Sequence, residues 1–283
     1  MNMSRRIIRK TYVDYDVEES INEALDALDE DAKIRALNSG IAKWIYAEKT
    51  VTSGKIKEIE IYPEFTRTQI AKRSEMKEKK KRWQKNLNDK NARKYLQRLI
   101  NANFGDHDIW MTLTYDDEHM PESIERAQKN MNYYFKKVNR RRKKKGLNNA
   151  KYVYVTECSS RCHHHVIIDG DLSMDELEEM WPYGRRNNTR RISKSSDDLT
   201  GLARYLAKDP KGKKRWSSSR NLKKPEVRKN HQITMRRISK IAEDDETLKN
   251  YIRKKYPDSE FFEVRRCINS FNGLFYFYVR FKE

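Results

Sequence analysis

Two strand-like runs separated by five residues constrain the fold of this chain most. The first, over residues 151–157, combines β-branched and aromatic side chains and ends in a glutamate. The second, over residues 163–169, continues from three histidines into Val-Ile-Ile. Runs of this length and composition are typical of β-strands, and a five-residue connection suits an antiparallel pair. The sequence therefore predicts a β-hairpin in the centre of the fold.

The histidine run places two imidazoles on one face of the second strand. Because side chains at positions i and i+2 of a strand point the same way, His163 and His165 can bind one metal ion. Glu157 can add a carboxylate from the neighbouring strand. Two histidines and one carboxylate leave coordination positions open, which is typical of a catalytic rather than a structural metal site. If the strand turned its other face inward, His164 would replace the pair.

Two other interpretations of the histidine run stay open from the residues alone. Cys158 and Cys162 could join the histidines in a Cys/His zinc site, although Cys162 would face away from His163 and His165 in an extended strand. The run could also be a hydrogen-bonded polar segment of a sheet that binds no ion.

The charge of the chain indicates a polyanionic partner. Its 283 residues include 62 Lys and Arg against 42 Asp and Glu, and residues 185–229 hold 16 of these cations against four carboxylates. No run reaches the roughly 18 apolar residues of a membrane span, and the N-terminus does not have the pattern of a secretory signal. Nucleic acid is therefore the expected partner, with no membrane contact and no small-molecule substrate.

The predicted DNA contacts are the cations of this basic segment and one aromatic side chain. They are Arg185, Arg186, Arg190, Arg191, Arg204, Lys213, Lys214, Arg215, Trp216, Arg220, Lys223 and Lys224. For the basic run 140–145 taken alone, a solvated surface is as good an explanation as a nucleic-acid contact. Three cysteines are too few for a disulfide framework, so we expect a soluble protein of a reducing cytoplasm.

A tyrosine and a lysine three residues apart lie within the basic segment, on a predicted helix that ends at Asp209-Pro210. The helical pattern places Tyr205 at the edge of the buried stripe. A free phenol is only about 0.1% ionised at pH 7, and the ammonium of Lys208 would lower its pKa. With a metal ion bound nearby, Tyr205 could attack a phosphate. The alternative is that Tyr205 only packs and Lys208 covers apolar surface.

The order of these patterns predicts an α+β fold with three regions. Residues 1–103 are predicted to form a helical, partly basic N-terminal extension. Residues 104–210 are predicted to form the core, a central antiparallel sheet flanked by helices, and residues 211–283 a basic segment followed by an α/β tail. The tail is expected to contain a helix and a terminal β-hairpin over 261–268 and 274–281.

The order of the motifs resembles the HUH endonucleases, and most closely the rolling-circle replication initiators of phages and plasmids. Met111–Tyr115 looks like the first motif of that family, and His163–His165 looks like its His-x-His metal motif. Glu157 is similar to the upstream third ligand, and Tyr205-x-x-Lys208 is similar to the single-tyrosine motif. The resemblance covers residues 104–229. It departs from the family pattern in the middle histidine, which is usually a bulky apolar residue.

The resemblance implies an HUH or RRM-like sheet that nicks single-stranded DNA at a replication origin and stays joined to it through a 5′-phosphotyrosine. It implies catalytic roles for Tyr205 and Lys208 and a divalent cofactor, Mn²⁺ or Mg²⁺, bound by Glu157, His163 and His165. A host helicase and polymerase in the bacterial cytoplasm are the expected partners. Relaxases and single-strand transposases share this chemistry. A non-catalytic nucleic-acid-binding protein is the alternative from a different class.

Overall fold

The computed structural model describes residues 44–65, 91–158, 160–185, 187–192, 216–268 and 274–283. Within them the chain forms two five-stranded antiparallel sheets and five helices, which confirms the predicted α+β class. The strands are β1 (Trp44–Ser53), β2 (Ile56–Phe65), β3 (Ile109–Thr114), β4 (Tyr152–Glu157), β5 (His163–Ile168), β6 (Asn188–Arg191), β7 (Ser217–Ser218), β8 (Glu226–Asn230), β9 (Glu260–Ile268) and β10 (Phe275–Lys282). The helices are α1 (91–103), α2 (Ile124–Lys144), α3 (Met174–Glu179), α4 (Met235–Ile241) and α5 (Asp245–Arg253).

The first sheet, called the core sheet below, has the strand order β6-β3-β5-β4-β7. Strands β4 and β5 form the predicted hairpin, and their register pairs Glu157 with His163 and Val155 with His165. Because β5 is the middle strand and is hydrogen-bonded on both sides, its side-chain directions are firmly fixed. A hydrophobic core that includes residues of α2 and α3 covers one face of this sheet.

Helix α2 is amphipathic and has recognisable ends. The hydroxyl of Ser123 accepts a hydrogen bond from the backbone N–H of Arg126, which caps the first turn. The buried stripe includes Met131, Tyr134 and Val138, while the opposite side is exposed and rich in cations. Gly146 ends the helix with a φ of 73°, as the sequence predicts, because glycine adopts this left-handed conformation at little cost. None of the described helices is long and apolar enough to cross a membrane.

The second sheet has the strand order β8-β1-β2-β10-β9, so strands from both halves of the sequence are hydrogen-bonded to one another. Helices α4 and α5 pack on one face through Ile238, Leu248 and Ile252, against residues that include Phe277 and Phe281. Strands β9 and β10 confirm the predicted terminal hairpin. Their connection, residues 269–273, lies outside the described residues.

The prediction of a helical extension over residues 1–103 is wrong for residues 44–65, which form β1 and β2. The reason is that this segment buries charged residues as well as apolar ones. Lys49, Glu58 and Glu60 are each no more than 5% exposed. A buried strand with carboxylates on one face does not show the apolar pattern by which strands are recognised.

Helix α1 lies between the two sheets and contacts both. Leu96 and Ile100 pack against the core sheet, in a cluster that contains Trp110. On the side of the second sheet, Arg98 donates two hydrogen bonds to Glu58, at 2.9 Å and 2.6 Å. Only 1% of the Arg98 surface is exposed. This ion pair therefore ties α1 to the second sheet in a water-poor environment.

Further charged groups complete the buried network between α1 and the second sheet. The ammonium of Lys49 lies 2.8 Å from Glu60, and that of Lys94 lies 3.3 Å from the same carboxylate. The phenol of Tyr278 donates a hydrogen bond to Glu58. Burial alone would raise the pKa of Glu58, but the hydrogen bonds and positive charge of Arg98, helped by Lys94, outweigh burial and hold that pKa below its usual value. Glu58 is therefore an ionised partner of Arg98.

Candidate metal centre

Glu157, His163 and His165 meet on the face of the core sheet opposite α2. Their ligand atoms all lie within 4.8 Å of one another. The Nε2 atoms of the two histidines are 3.1 Å apart, and Oε2 of Glu157 is 3.5 Å from Nε2 of His163. The strand pairing explains this closeness, because Glu157 stands directly opposite His163 on the neighbouring strand. The structure thus brings together all three residues that the sequence predicts as metal ligands.

Hydrogen bonds to the far side of each imidazole orient the two rings. Nδ1 of His163 lies 2.9 Å from the carbonyl oxygen of Arg161, which can only accept, so the proton of this ring is assigned to Nδ1. Nδ1 of His165 lies 3.1 Å from the hydroxyl of Thr112, which can accept in the same way. With both protons on Nδ1, both Nε2 atoms offer electron pairs. Metal-binding histidines are usually oriented by this kind of bond.

The donor set of this site fits a divalent cation. Two imidazole nitrogens and a carboxylate oxygen direct electron pairs towards one another, an arrangement that is favourable around a positive charge. His165 is buried and its ring stacks on Trp110, with ring centroids 5.5 Å apart. Glu157 and His163 are half-buried, so one side of the group is accessible to a ligand.

His164 lies on the opposite face of the sheet and belongs to the core. Its ring is fully buried; Nε2 is 2.8 Å from the hydroxyl of Tyr115, and Nδ1 is 3.0 Å from the hydroxyl of Thr156. Burial, and to a lesser extent the neighbouring histidines, lower the pKa of His164 to about 3, so the ring is neutral near pH 7. The alternative in which His164 replaces the pair is therefore wrong. A neutral imidazole here fills the place of a bulky core residue.

The cysteines do not form part of the candidate site. Cys158 and Cys162 are joined by a disulfide bond and pack with the core on the α2 side of the sheet. Sulfur atoms bonded to each other are not thiolate ligands, so the Cys/His zinc interpretation is wrong. The sequence predicts no disulfide framework, and this single short bridge is not one. It links the residue that follows Glu157 to the residue that precedes His163.

The remaining predicted site residues fall into two groups. Seven of them lie outside the described residues: Tyr205, Lys208, Arg186, Arg204, Lys213, Lys214 and Arg215. The described cations are exposed and occupy two places, on or beside the edge strand β6 and in the segment between β7 and β8: Arg185, Arg190, Arg191, Arg220, Lys223 and Lys224. Because β6 and β7 are opposite edges of the core sheet, these cations do not form one patch.

Two residues near the site have roles that the sequence reasoning missed. Thr112, which orients His165, lies within the first motif, and its only sequence signal is its position in the alternation of β3. Trp216 is half-buried and packs against Tyr95 of α1, with ring centroids 6.2 Å apart. Its position supports a packing role in addition to the predicted DNA contact.

The described fold and site define a class of protein: an antiparallel α+β sheet that carries a two-histidine, one-carboxylate group with open positions. A family model for a replication-associated protein of the ORF2 type matches residues 108–210. This stretch contains β3 to β6, the three candidate ligands and the predicted tyrosine. The match supports a role in replication initiation. No curated protein and no solved structure matches the chain.

Proposed function

We propose that this protein is a metal-dependent, tyrosine-mediated endonuclease and strand transferase that nicks single-stranded DNA to initiate rolling-circle replication. The observation that carries the proposal is the convergence of Glu157, His163 and His165 within 4.8 Å. The family match to a replication-associated protein supports replication rather than the relaxase or transposase alternatives, which share the same chemistry. The excess of cations in residues 185–229 supports DNA as the substrate.

Glu157, His163 and His165 would hold one divalent ion, Mn²⁺ or Mg²⁺. When bound, the ion supplies Lewis-acid stabilisation of the charge on a phosphate oxygen. Mixed nitrogen and oxygen donors suit such ions under cellular supply. The chain's own contribution is orientation: Thr112 and the Arg161 carbonyl keep both rings turned with Nε2 towards the carboxylate.

The reacting group of the chain is the phenol of Tyr205. Its oxygen attacks the phosphorus of the scissile phosphodiester, and the bond between phosphorus and O3′ breaks. The phenol proton passes to water, and the leaving O3′ takes a proton from water and becomes a free 3′-hydroxyl. The ammonium of Lys208, one helical turn away in the predicted helix, favours the phenolate. The 5′-phosphotyrosine retains the energy of the broken ester, so the strand can be rejoined without ATP.

The variant Tyr205→Phe tests the nucleophile. We expect it to bind single-stranded DNA as the wild-type protein does and to form no covalent protein–DNA adduct, because the oxygen that attacks phosphorus is absent. The measurement is incubation with Mn²⁺ and end-labelled single strands that carry candidate origin hairpins, followed by a denaturing gel. Tyr256→Phe, a half-buried tyrosine beside the second sheet, is the matched control and should form the adduct. Wild-type levels of adduct with Tyr205→Phe would overturn the assignment.

The variant Thr112→Val tests the orientation of His165. It keeps the shape of the side chain and removes the hydroxyl at 3.1 Å from Nδ1. Loss of such a partner costs about 10- to 100-fold in metal affinity, so we expect Mn²⁺ binding measured by titration calorimetry to weaken by at least that lower factor. Thr52→Val, at a half-buried position of β1, is the control and should bind Mn²⁺ as the wild type does. Equal Mn²⁺ affinity for Thr112→Val and wild type would contradict this role.

A further inference from the structure

The outward face of α2 carries a long stripe of cations on the side of the core sheet opposite the candidate metal centre. Its members recur at intervals of three or four residues, so they share one side of the helix. They are Arg126, Lys129, Lys136, Lys137, Arg140, Lys143 and Lys144, and all are exposed. The buried stripe of the same helix faces the sheet. We call this exposed set the α2 stripe.

Most cations of the α2 stripe are not compensated by carboxylates. Arg141 and Lys145, at the border of the stripe, pair with Glu176. Within the part of the chain that the structure describes, no ion pair involves Lys129, Lys136, Arg140 or any other member of the stripe. Like charges along one face repel one another, and an anionic partner would relieve that repulsion.

Stabilisation of the helix does not explain the stripe. Cations in the last turn of a helix interact favourably with its dipole, which accounts for Lys143 and Lys144. The dipole effect is confined to the terminal turns, so Lys129 and Lys136, which lie further from the C-terminus, gain nothing from it. Lys136 instead lies over the ring of Tyr133, 5.6 Å from its centroid, and this tyrosine is 54% exposed. An exposed aromatic ring among cations is typical of a nucleic-acid contact rather than of a merely solvated helix.

The C-terminal half of the stripe borders a shallow concavity where α2 meets the following loop. Lys136, Arg140 and Lys143 line it, and the amides of Asn139, Asn148 and Asn149 complete the lining. Charged and amide N–H groups are the donors that proteins use to contact phosphate oxygens of DNA without reading its sequence.

We propose that the α2 stripe binds the phosphate backbone of duplex DNA while the single strand occupies the metal face. The inference rests on the proposed function only for the occupant of the metal face. From Lys129 to Lys143 the stripe extends about 21 Å along the helix, comparable to about six base-pair steps of 3.4 Å. A single strand is usually bound in a groove with several stacking aromatics, whereas the stripe offers Tyr133 alone. A duplex stem that continues from the nicked strand is the occupant that fits.

The test is the variant Lys136→Gln/Arg140→Gln/Lys143→Gln, in which glutamine keeps the helix propensity and removes the charge. The control is Arg236→Gln/Lys240→Gln/Lys254→Gln, three exposed cations on or next to α4 and α5, with the same change in net charge. The probes are a labelled blunt-ended duplex, titrated at several salt concentrations, and a short single strand for the adduct assay.

We expect the α2 variant to lose at least about tenfold in duplex affinity at low salt and to keep single-strand adduct formation. The slope of log affinity on log salt should shrink by about 2 to 3, because each lost phosphate contact contributes about 0.9. The control should bind as the wild type does. If the α2 variant keeps the wild-type affinity and slope, or if the control loses as much, the proposal is wrong.

Two further outcomes separate this proposal from the proposed function. An equal loss of single-strand and duplex binding in the α2 variant would overturn the duplex assignment. If the wild type forms no adduct but the α2 variant alone loses duplex binding, the nicking function fails and the duplex surface is supported.

Discussion

Replacement of either His163 or His165 by alanine is expected to slow metal-dependent adduct formation by about a thousandfold. Each variant removes one of three donors, and a bound ion contributes several kcal/mol to transition-state stabilisation. About 4 kcal/mol corresponds to a factor of about a thousand, since each 1.36 kcal/mol is tenfold in rate. The measurement is the single-turnover rate of adduct formation with saturating DNA and Mn²⁺. Mn²⁺ binding, followed by electron paramagnetic resonance, should weaken in parallel.

Another histidine provides the matched control for this experiment. His231 is exposed and pairs with Glu64 of the second sheet, so His231→Ala should cleave at the wild-type rate. DNA binding without metal should be the same in all three variants, because the lost side chains are proposed to act through the ion. Wild-type cleavage rates in both His163→Ala and His165→Ala would show that these residues are not the metal ligands.

The variant Arg98→Met is expected to lower the free energy of unfolding by about 3 to 5 kcal/mol. It leaves the buried carboxylate of Glu58 without its main partner, and an uncompensated buried charge is costly. Equilibrium unfolding in urea at neutral pH measures this loss. The loss should shrink as the pH falls below the usual glutamate pKa, because the lowered pKa of Glu58 means that its contribution to stability exists above that range and is lost on protonation.

Two companion variants separate charge from packing in this network. Arg93→Met, an exposed position on the same helix, should change the stability by no more than about 0.5 kcal/mol. The double variant Glu58→Gln/Arg98→Met should recover part of the loss, because it removes the isolated charge. If Arg98→Met unfolds at the same urea concentration as the wild type, α1 is not tied to the second sheet by this pair.

The ligand group could be predicted from the sequence because strand alternation has a period of two. His163 and His165 must share a face once the run forms a strand, and Glu157 ends the preceding strand. The choice between that pair and His164 required the structure. It depends on which face packs against α2, and Tyr115 and Thr156 make the hydrogen bonds that hold His164 inside.

The second sheet and the connection through α1 could not be predicted. Buried charged residues such as Glu60 and Arg98 are read from a sequence as exposed, because lone charges are rarely buried. Only the tertiary pairing makes their burial possible, and the partners are distant in the chain. The tyrosine half of the proposed site, Tyr205 and Lys208, stays a prediction from the sequence and from the resemblance.

The most direct test of the proposed nicking reaction uses the wild-type protein. It is incubated with end-labelled single-stranded DNA and Mn²⁺, Mg²⁺ or EDTA, and the products are separated on a denaturing gel and mapped by peptide mass. The account predicts a covalent adduct at Tyr205 that forms with a metal ion and not with EDTA. DNA binding without an adduct under both metals, or an adduct of equal yield in EDTA, would contradict it.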